Sequence, residues 1–182
     1  MRARKKSGGL TRLCRQAGTM IRLPLNAVLW ALAILALAWI VWLVRLWSPE
    51  QQAELHTINL LARASKQDWV AVGNMMAPDY RDAWGHGKEK ALTDAEEFGQ
   101  HFFSLRIGPV EPLTVQSEAG TATVSARLGV YGSGTPMAHA IIEAVHELEE
   151  PFVFRWQKSG SWPWQWTLSG LEQEELVARY PR

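Results

Sequence analysis

Residues 23–44 carry no charge over 22 consecutive positions, and a stretch of that kind can fold in few ways. As an α-helix, at about 1.5 Å per residue, it reaches roughly 33 Å, enough to cross a hydrocarbon core of about 30 Å. Most of it is Leu, Ala, Ile, Val and Trp. Seven basic residues precede it (Arg2, Arg4, Lys5, Lys6, Arg12, Arg15 and Arg22), and no acid occurs before Glu50. Basic residues stay on the cytoplasmic side of a span. The expected topology is therefore a cytoplasmic basic arm (1–22), a single transmembrane helix (23–47) and an outer domain. Trp39, Trp42 and Trp47 lie toward the exit side, where indoles favour the headgroup layer, and Arg45 can snorkel to the same surface. For a bacterial chain that means the inner membrane, with the C-terminal domain in the periplasm.

A cleaved signal peptide is the competing reading. Ala36-Leu37-Ala38 offers a small-x-small triplet, but cleavage there leaves Trp39-Ile40-Val41-Trp42-Leu43-Val44 on the mature chain, and the run exceeds the usual apolar core of about 7–15 residues. The reading adopted is an uncleaved signal-anchor. Cys14, the lone cysteine, lies in the basic arm. The outer domain thus has no disulfide and depends on burial alone.

The residues beyond Ser48 make one domain (49–170) with a C-terminal tail (171–182). Eleven of the 19 Lys and Arg and all 18 acids fall there, a formal charge of −7 that the near-neutral whole-chain balance hides. A net-negative domain argues against nucleic acid as partner. The lipid bilayer is the expected partner of the arm and span. A protein partner or a second copy of the chain is the expected partner of the domain.

The first half reads as helices. Ser48-Pro49 is a start signal, with Leu55, Ile58, Leu61 and Ala62 at helical spacing after it. Asp68 caps a short helix carrying Trp69, Val72 and Met76, which Pro78 stops. Thr93 and Glu96 fit a capping box for a helix carrying Ala95, Phe98, Phe102 and Leu105 and ending at Gly108-Pro109. Residues 79–92 read as a polar loop or a weak hairpin. The second half reads as strands. Ala122, Val124, Ala126, Leu128 and Val130 alternate with polar residues through 121–131, after a strand with Leu113 and Val115 and a turn at Ala119-Gly120. Phe152, Phe154 and Trp156 alternate likewise. After Ser159-Gly160, so do Trp162, Trp164, Trp166 and Leu168. Between these strands, Thr135-Pro136 opens a helix (135–148) with Met137, Ile141, Val145 and Leu148 along one stripe and His139, Glu143 and His146 facing solvent.

The fold class is α+β. Its order of short helices, polar connector, capped helix and long antiparallel strands resembles the nuclear transport factor 2 superfamily, the cystatin-like cone, over roughly residues 50–170. The closest local echo is the hairpin Phe152-Val153-Phe154-Arg155-Trp156-Gln157-Lys158-Ser159-Gly160-Ser161-Trp162. The resemblance implies a curved sheet wrapped round a long helix with a conical pocket. The inserted 135–148 helix departs from the usual strand-to-strand turn and is expected to cover the mouth of that pocket. The layout of arm, span and outer cone is similar to that of the bitopic scaffold subunit of type IV secretion channels.

No motif assigns a reaction. The five histidines do not form HExxH, no CxxC or EF-hand loop occurs, and Gly129, Gly132 and Gly134 do not open a helix as a phosphate loop requires. No metal, cofactor or catalytic residue is expected. Enzymes of the resembling superfamily use an Asp or Asp-His base with a Tyr, and Asp79, Tyr80, Asp82 and His86 hold such groups in the 79–92 connector. A polar loop accounts for them more simply. The row Trp156, Trp162, Trp164 and Trp166 is either core or, if exposed, a platform for sugars. The candidate ligand-binding residues are Tyr80, His86, Trp156 and Trp164. The expected function is a non-catalytic, membrane-anchored binding or assembly module. The alternatives are a small-ligand or glycan sensor and, behind it, an isomerase or hydrolase. An apolar, filled cone favours the scaffold, an open pocket with a Trp wall the ligand binder, and inward carboxylates with a His the enzyme.

Overall fold

The computed structural model describes residues 25–179, so the basic arm and Cys14 lie outside the described residues. The chain divides into two units at Val41 and Trp42, and each is described by itself. Helix α1 is Leu25–Leu46, 22 residues. Its apolar side chains face outward on every side, with Trp30, Leu35 and Ile34 all more than 60% exposed. Side chains are described only for its residues 28–43, and among the described residues no helix is long and apolar enough to cross a membrane.

Helix α2 (Pro49–Ser65) starts where the sequence signals it. Pro49 occupies the first turn and the Ser48 hydroxyl accepts from the Gln51 backbone N–H. Its Ala53, Thr57, Leu60 and Leu61 are buried. Helix α3 (Trp69–Met75) is capped by Asp68, whose carboxylate accepts from Ala71 N–H at 3.1 Å. Helix α4 (Lys88–Gln100) corrects the expected capping box. Gly87 is its N-cap without a side-chain bond, and Thr93 sits mid-helix, donating to the Glu89 carbonyl. Lys88, Glu89, Lys90, Ala91 and Leu92 are all strong helix formers, so the helix extends back past Thr93 without that box.

The helix does not reach Gly108-Pro109. It ends at Gln100, and β1 (Phe102–Pro109) follows, paired antiparallel with β4 (Leu128–Gly134). The 98–102–105 spacing fits a helix, but pairing with β4 satisfies the backbone of 102–109 instead. The register slips between Phe102 and Ser104, a bulge that leaves Phe103 81% exposed. At Gly132 a Cβ would collide with the Ser104 carbonyl, and its φ of +154° disfavours any side chain.

The second sheet runs in the order β2–β3–β5–β6, all antiparallel: β2 (Thr114–Glu118), β3 (Thr121–Ala126), β5 (Phe152–Lys158) and β6 (Trp166–Glu172). The single strand expected over 121–131 is two strands. It breaks at Arg127, which holds a corner: its carbonyl accepts from Val110 N–H, and its guanidinium reaches the Leu148 carbonyl and Glu111. The inward parity survives the corner, but Val124 faces one core and Val130 another. The expected strand at Trp162 also fails. Residues 162–165 form a turn and β6 begins at Trp166.

Helix α5 (Pro136–His146) is present as expected, with His139, Glu143 and His146 exposed. Its inward stripe is the buried Ala138 with the partly buried Ile141, Ile142 and Val145, packed with Phe102 and Val130 into the smaller core, while Met137 is 54% exposed. A short helix, α6 (Glu174–Arg179), follows β6. The main core joins α2, α3 and the four-stranded sheet through Leu60, Leu61, Val72, Val124, Phe154 and Trp156.

Candidate functional site

The connector between α3 and α4 is a strap laid along the free edge of β6. Ala77 N–H donates to the Leu168 carbonyl, Arg81 N–H to Ser169 and Ala83 N–H to Leu171. With Arg81 and Ala83 turned to the sheet edge, the alternate residues Tyr80, Asp82 and Trp84 point inward, as strand periodicity requires, and His86 follows them. They meet a cavity of about 670 Å³, within the range of about 300–1,000 Å³ for small-molecule sites. Leu60, Leu61 and Ala64 of α2 form one wall, Trp69 and Val72 of α3 another, and Ala91, Leu92, Ala95 and Phe98 of α4 a third. Phe152, Phe154, Leu168 and Leu171 form the sheet side.

Polar groups gather at one place in this apolar lining. Tyr80 is 3% exposed. Burial, and then the negative charge of Asp82, push its phenol well above its ordinary value, so it stays protonated at neutral pH. Among the described residues nothing bonds to its hydroxyl, which is thus free to serve a guest. Asp82 accepts from the His86 backbone N–H at 2.7 Å, across a tight turn that Gly85 closes at φ +75°. The His86 Nδ1 stands 3.4 Å from a carboxylate oxygen of Asp82 and 3.4 Å from one of Asp94. Asp94 pairs in turn with Lys90. An imidazole between two carboxylates can hold or pass a proton, and the Tyr80 hydroxyl can donate to an oxygen.

Of the four candidate residues, Tyr80 and His86 come together here. Trp156 does not: it is 1% exposed, its indole N–H donates to the Thr57 hydroxyl at 2.9 Å, and its ring lies 5.5 Å from that of His56. Trp164 sits on the exposed β5–β6 turn. Asp79 accepts from Gln157 on the surface and is not part of the lining. Asp94, Trp69 and Trp84 were missed by sequence reasoning. A signal for the strap existed in the alternation of Tyr80, Asp82, Trp84 and His86, a period-two pattern inside a polar segment. The expected lid is corrected: α5 contributes no residue to the lining, because its apolar stripe is taken up by β1 and β4. A smaller cleft of about 100 Å³ lies between Arg127, Val145 and Phe152. Among the described residues no group of three or more His, Cys, Asp or Glu is arranged to hold a metal ion.

The architecture has counterparts among solved structures. Bd1075 of Bdellovibrio bacteriovorus superposes with a TM-score of 0.52 at 7% identity, over 67% of this chain and 38% of that one; the present chain thus spans well under half of it. A nuclear transport factor 2-like superfamily protein from Salmonella enterica gives 0.51 at 11% identity, over 68% and 88% of the two chains. A conserved protein from Planctomyces limnophilus gives 0.50 at 13%, over 68% and 93%. The domain is an α+β cone of the nuclear transport factor 2-like fold, helices packed on antiparallel sheet. No family model matches the chain, and no curated protein matches it.

Proposed function

We propose that this chain is a single-pass membrane protein whose periplasmic cone binds a small, mainly apolar molecule. The observation that carries the reading is the open cavity of about 670 Å³ with Trp69 and Trp84 in its walls. A scaffold needs no such space, and unfilled apolar volume in a core costs stability. The guest is an apolar body with one polar end, able to bond with the Tyr80 hydroxyl or the Asp82–His86–Asp94 cluster. The anchor reading is supported by the uncharged run of residues 23–44 and the seven basic residues before it, and by the outward apolar faces of α1. A protein partner or second copy is compatible with this reading and is proposed as secondary.

The test is photolabelling of the full chain in lipid nanodiscs with a neutral aryl diazirine. Label is expected on peptides containing Trp69, Trp84 or Phe98, and Ala95→Trp should abolish it there by filling the cavity. Labelling of α1 from the bilayer should persist in both proteins. Cavity peptides that stay unlabelled, or that label equally in Ala95→Trp, refute the binding reading. Loss of label from α1 alone refutes the span. A second reading, acid–base catalysis, has the placement of His86 between two carboxylates in its favour. It predicts that His86→Ala leaves photolabelling intact but blocks turnover of a bound guest, seen as unchanged guest recovered by mass spectrometry.

A further inference from the structure

The lining of the cavity is one-sided in charge. Among the described residues it holds the carboxylates of Asp82 and Asp94 and the imidazole of His86, but no Lys and no Arg. Asp82 is the deeper carboxylate, its side chain 7% exposed against 37% for Asp94. The cations nearby are committed elsewhere. Lys90 pairs with Asp94. Lys88 donates to the Met76 carbonyl at 3.3 Å and Arg81 to the Gly85 carbonyl at 3.2 Å. None of the three lines the cavity. Asp82 is left with the backbone N–H and the imidazole of His86. A carboxylate accepts at about four lone-pair sites, so Asp82 keeps acceptor capacity that the fold does not use.

We propose that the guest of this cavity is a cation, an organic amine whose ammonium group sits against Asp82 while its apolar body lies among the apolar walls. It rests on the binding reading above and fixes the sign of the guest's polar end. A second group points to the same place. Tyr80 is 3% exposed, its hydroxyl has no partner among the described residues, and it feels the charge of Asp82. Its oxygen can accept from an ammonium that Asp82 also holds. Trp69 and Trp84 belong to the same lining, and the faces of such rings attract cations.

The possible heads differ in what they meet. An ammonium makes charge-assisted bonds to Asp82, the stronger kind, and gains from the aromatic rings. A carboxylate finds donors in Tyr80 and His86, but it brings a third negative charge beside Asp82 and Asp94. The apolar walls around that charge screen it poorly. A neutral head escapes the repulsion and leaves Asp82 as it was. His86 does not balance the pair: it supplies at most one positive charge, shared between two carboxylates at 3.4 Å each.

The test compares the neutral aryl diazirine with two derivatives of the same body, one ending in an ammonium group and one in a carboxylate. The full chain is held in nanodiscs of phosphatidylcholine, whose headgroups carry no net charge. The readout is the probe concentration that half-labels the peptides containing Trp69, Trp84 or Phe98. The ammonium probe should need several-fold less than the neutral one, and the carboxylate probe several-fold more. Asp82→Asn should collapse the ratio of ammonium to neutral half-points towards unity. Asp94→Asn, at the more exposed carboxylate, should shrink it by a smaller factor, and it decides the matter if Asp82→Asn fails to fold. Equal half-points for the ammonium and neutral probes, or a carboxylate probe that labels best, overturn the cation and leave the binding cavity standing. An ammonium preference that survives in every folded Asn variant also overturns it, because the preference then arises away from these carboxylates. Cavity peptides that no probe labels overturn both readings.

Discussion

Two tryptophans of one hairpin should respond to truncation in opposite ways. Trp156 is 1% exposed. Burying an indole removes about 150–250 Å² from water, which at about 25 cal/mol per Å² is roughly 4–6 kcal/mol. That is an upper bound, because the unfolded chain already hides some of this surface. Truncation also removes the indole N–H bond to Thr57. The Thr57 hydroxyl keeps its own bond to the Ala53 carbonyl at 2.8 Å, so it is not orphaned, and the added loss is about 1 kcal/mol at most. Trp156→Ala should therefore cost about 4 kcal/mol, a large share of a typical stability of about 5–15 kcal/mol. Trp164→Ala removes a ring that is half in solvent and keeps the backbone carbonyl that meets His56. Its cost should stay below about 1 kcal/mol. The assay is urea unfolding of the full chain in detergent micelles, read by amide exchange along β5 so that the lost fluorophore does not enter the signal. Equal midpoints for the two variants would refute the placement of Trp156 in the core. Thr57→Val, which leaves the Trp156 N–H unpaired, should fall between them at about 1–3 kcal/mol.

Three further outcomes follow. A Cβ on Gly99 would stand 2.7 Å from the Trp69 ring. Gly99→Ala should thus push that indole into the cavity and reduce photolabelling there, while the helical gain of about 1 kcal/mol offsets part of an overpacking cost of about 1–3 kcal/mol. Unchanged labelling would mean that Trp69 is not a cavity wall. Burial pushes the His56 imidazole below its ordinary value, against the opposing effect of the Trp164 carbonyl. The unfolded chain then binds this proton more readily, so stability is full above the unfolded value near 6.5 and declines as pH falls through it toward the folded value. The His56 resonance followed from pH 8 to 5 should titrate below the ordinary imidazole range, and His56→Gln should flatten the decline in that window. For topology, a reporter that works only outside the cytoplasm, fused after Arg182, should be active; activity of a cytoplasmic reporter there would reverse the orientation.

Much of the architecture was legible because it rests on local chemistry. Ser48 and Asp68 mark helix starts through side-chain caps, and Pro49 and Pro136 through a fixed φ, none of which needs a distant partner. The alternation in β3 and β5 likewise reports one buried face directly. Four features were not legible. The 98–102–105 apolar spacing satisfies a helix and a strand equally well, and pairing with β4 decided it. The alternation through 121–131 is continuous, so the corner at Arg127 left no trace in the pattern. Trp162 and Trp164 share strand parity with Trp166, yet Gln165 and Pro163 fold them into a turn. The strap at 80–86 carried its own period-two signal, but only the free edge of β6 gave that signal a sheet to follow.

An uncharged apolar run of 22 residues ahead of an acidic α+β region is readable from neighbouring residues alone, because charge and periodicity are local properties. The packing of distant elements is what leaves the cone open, brings Tyr80, Asp82, His86 and Asp94 into its lining, and buries Trp156 and Trp166 while Trp162 and Trp164 face outward. Each of these is a difference between the space that distant elements enclose and the side chains that fill it, and a difference of that kind is not a property of any single segment.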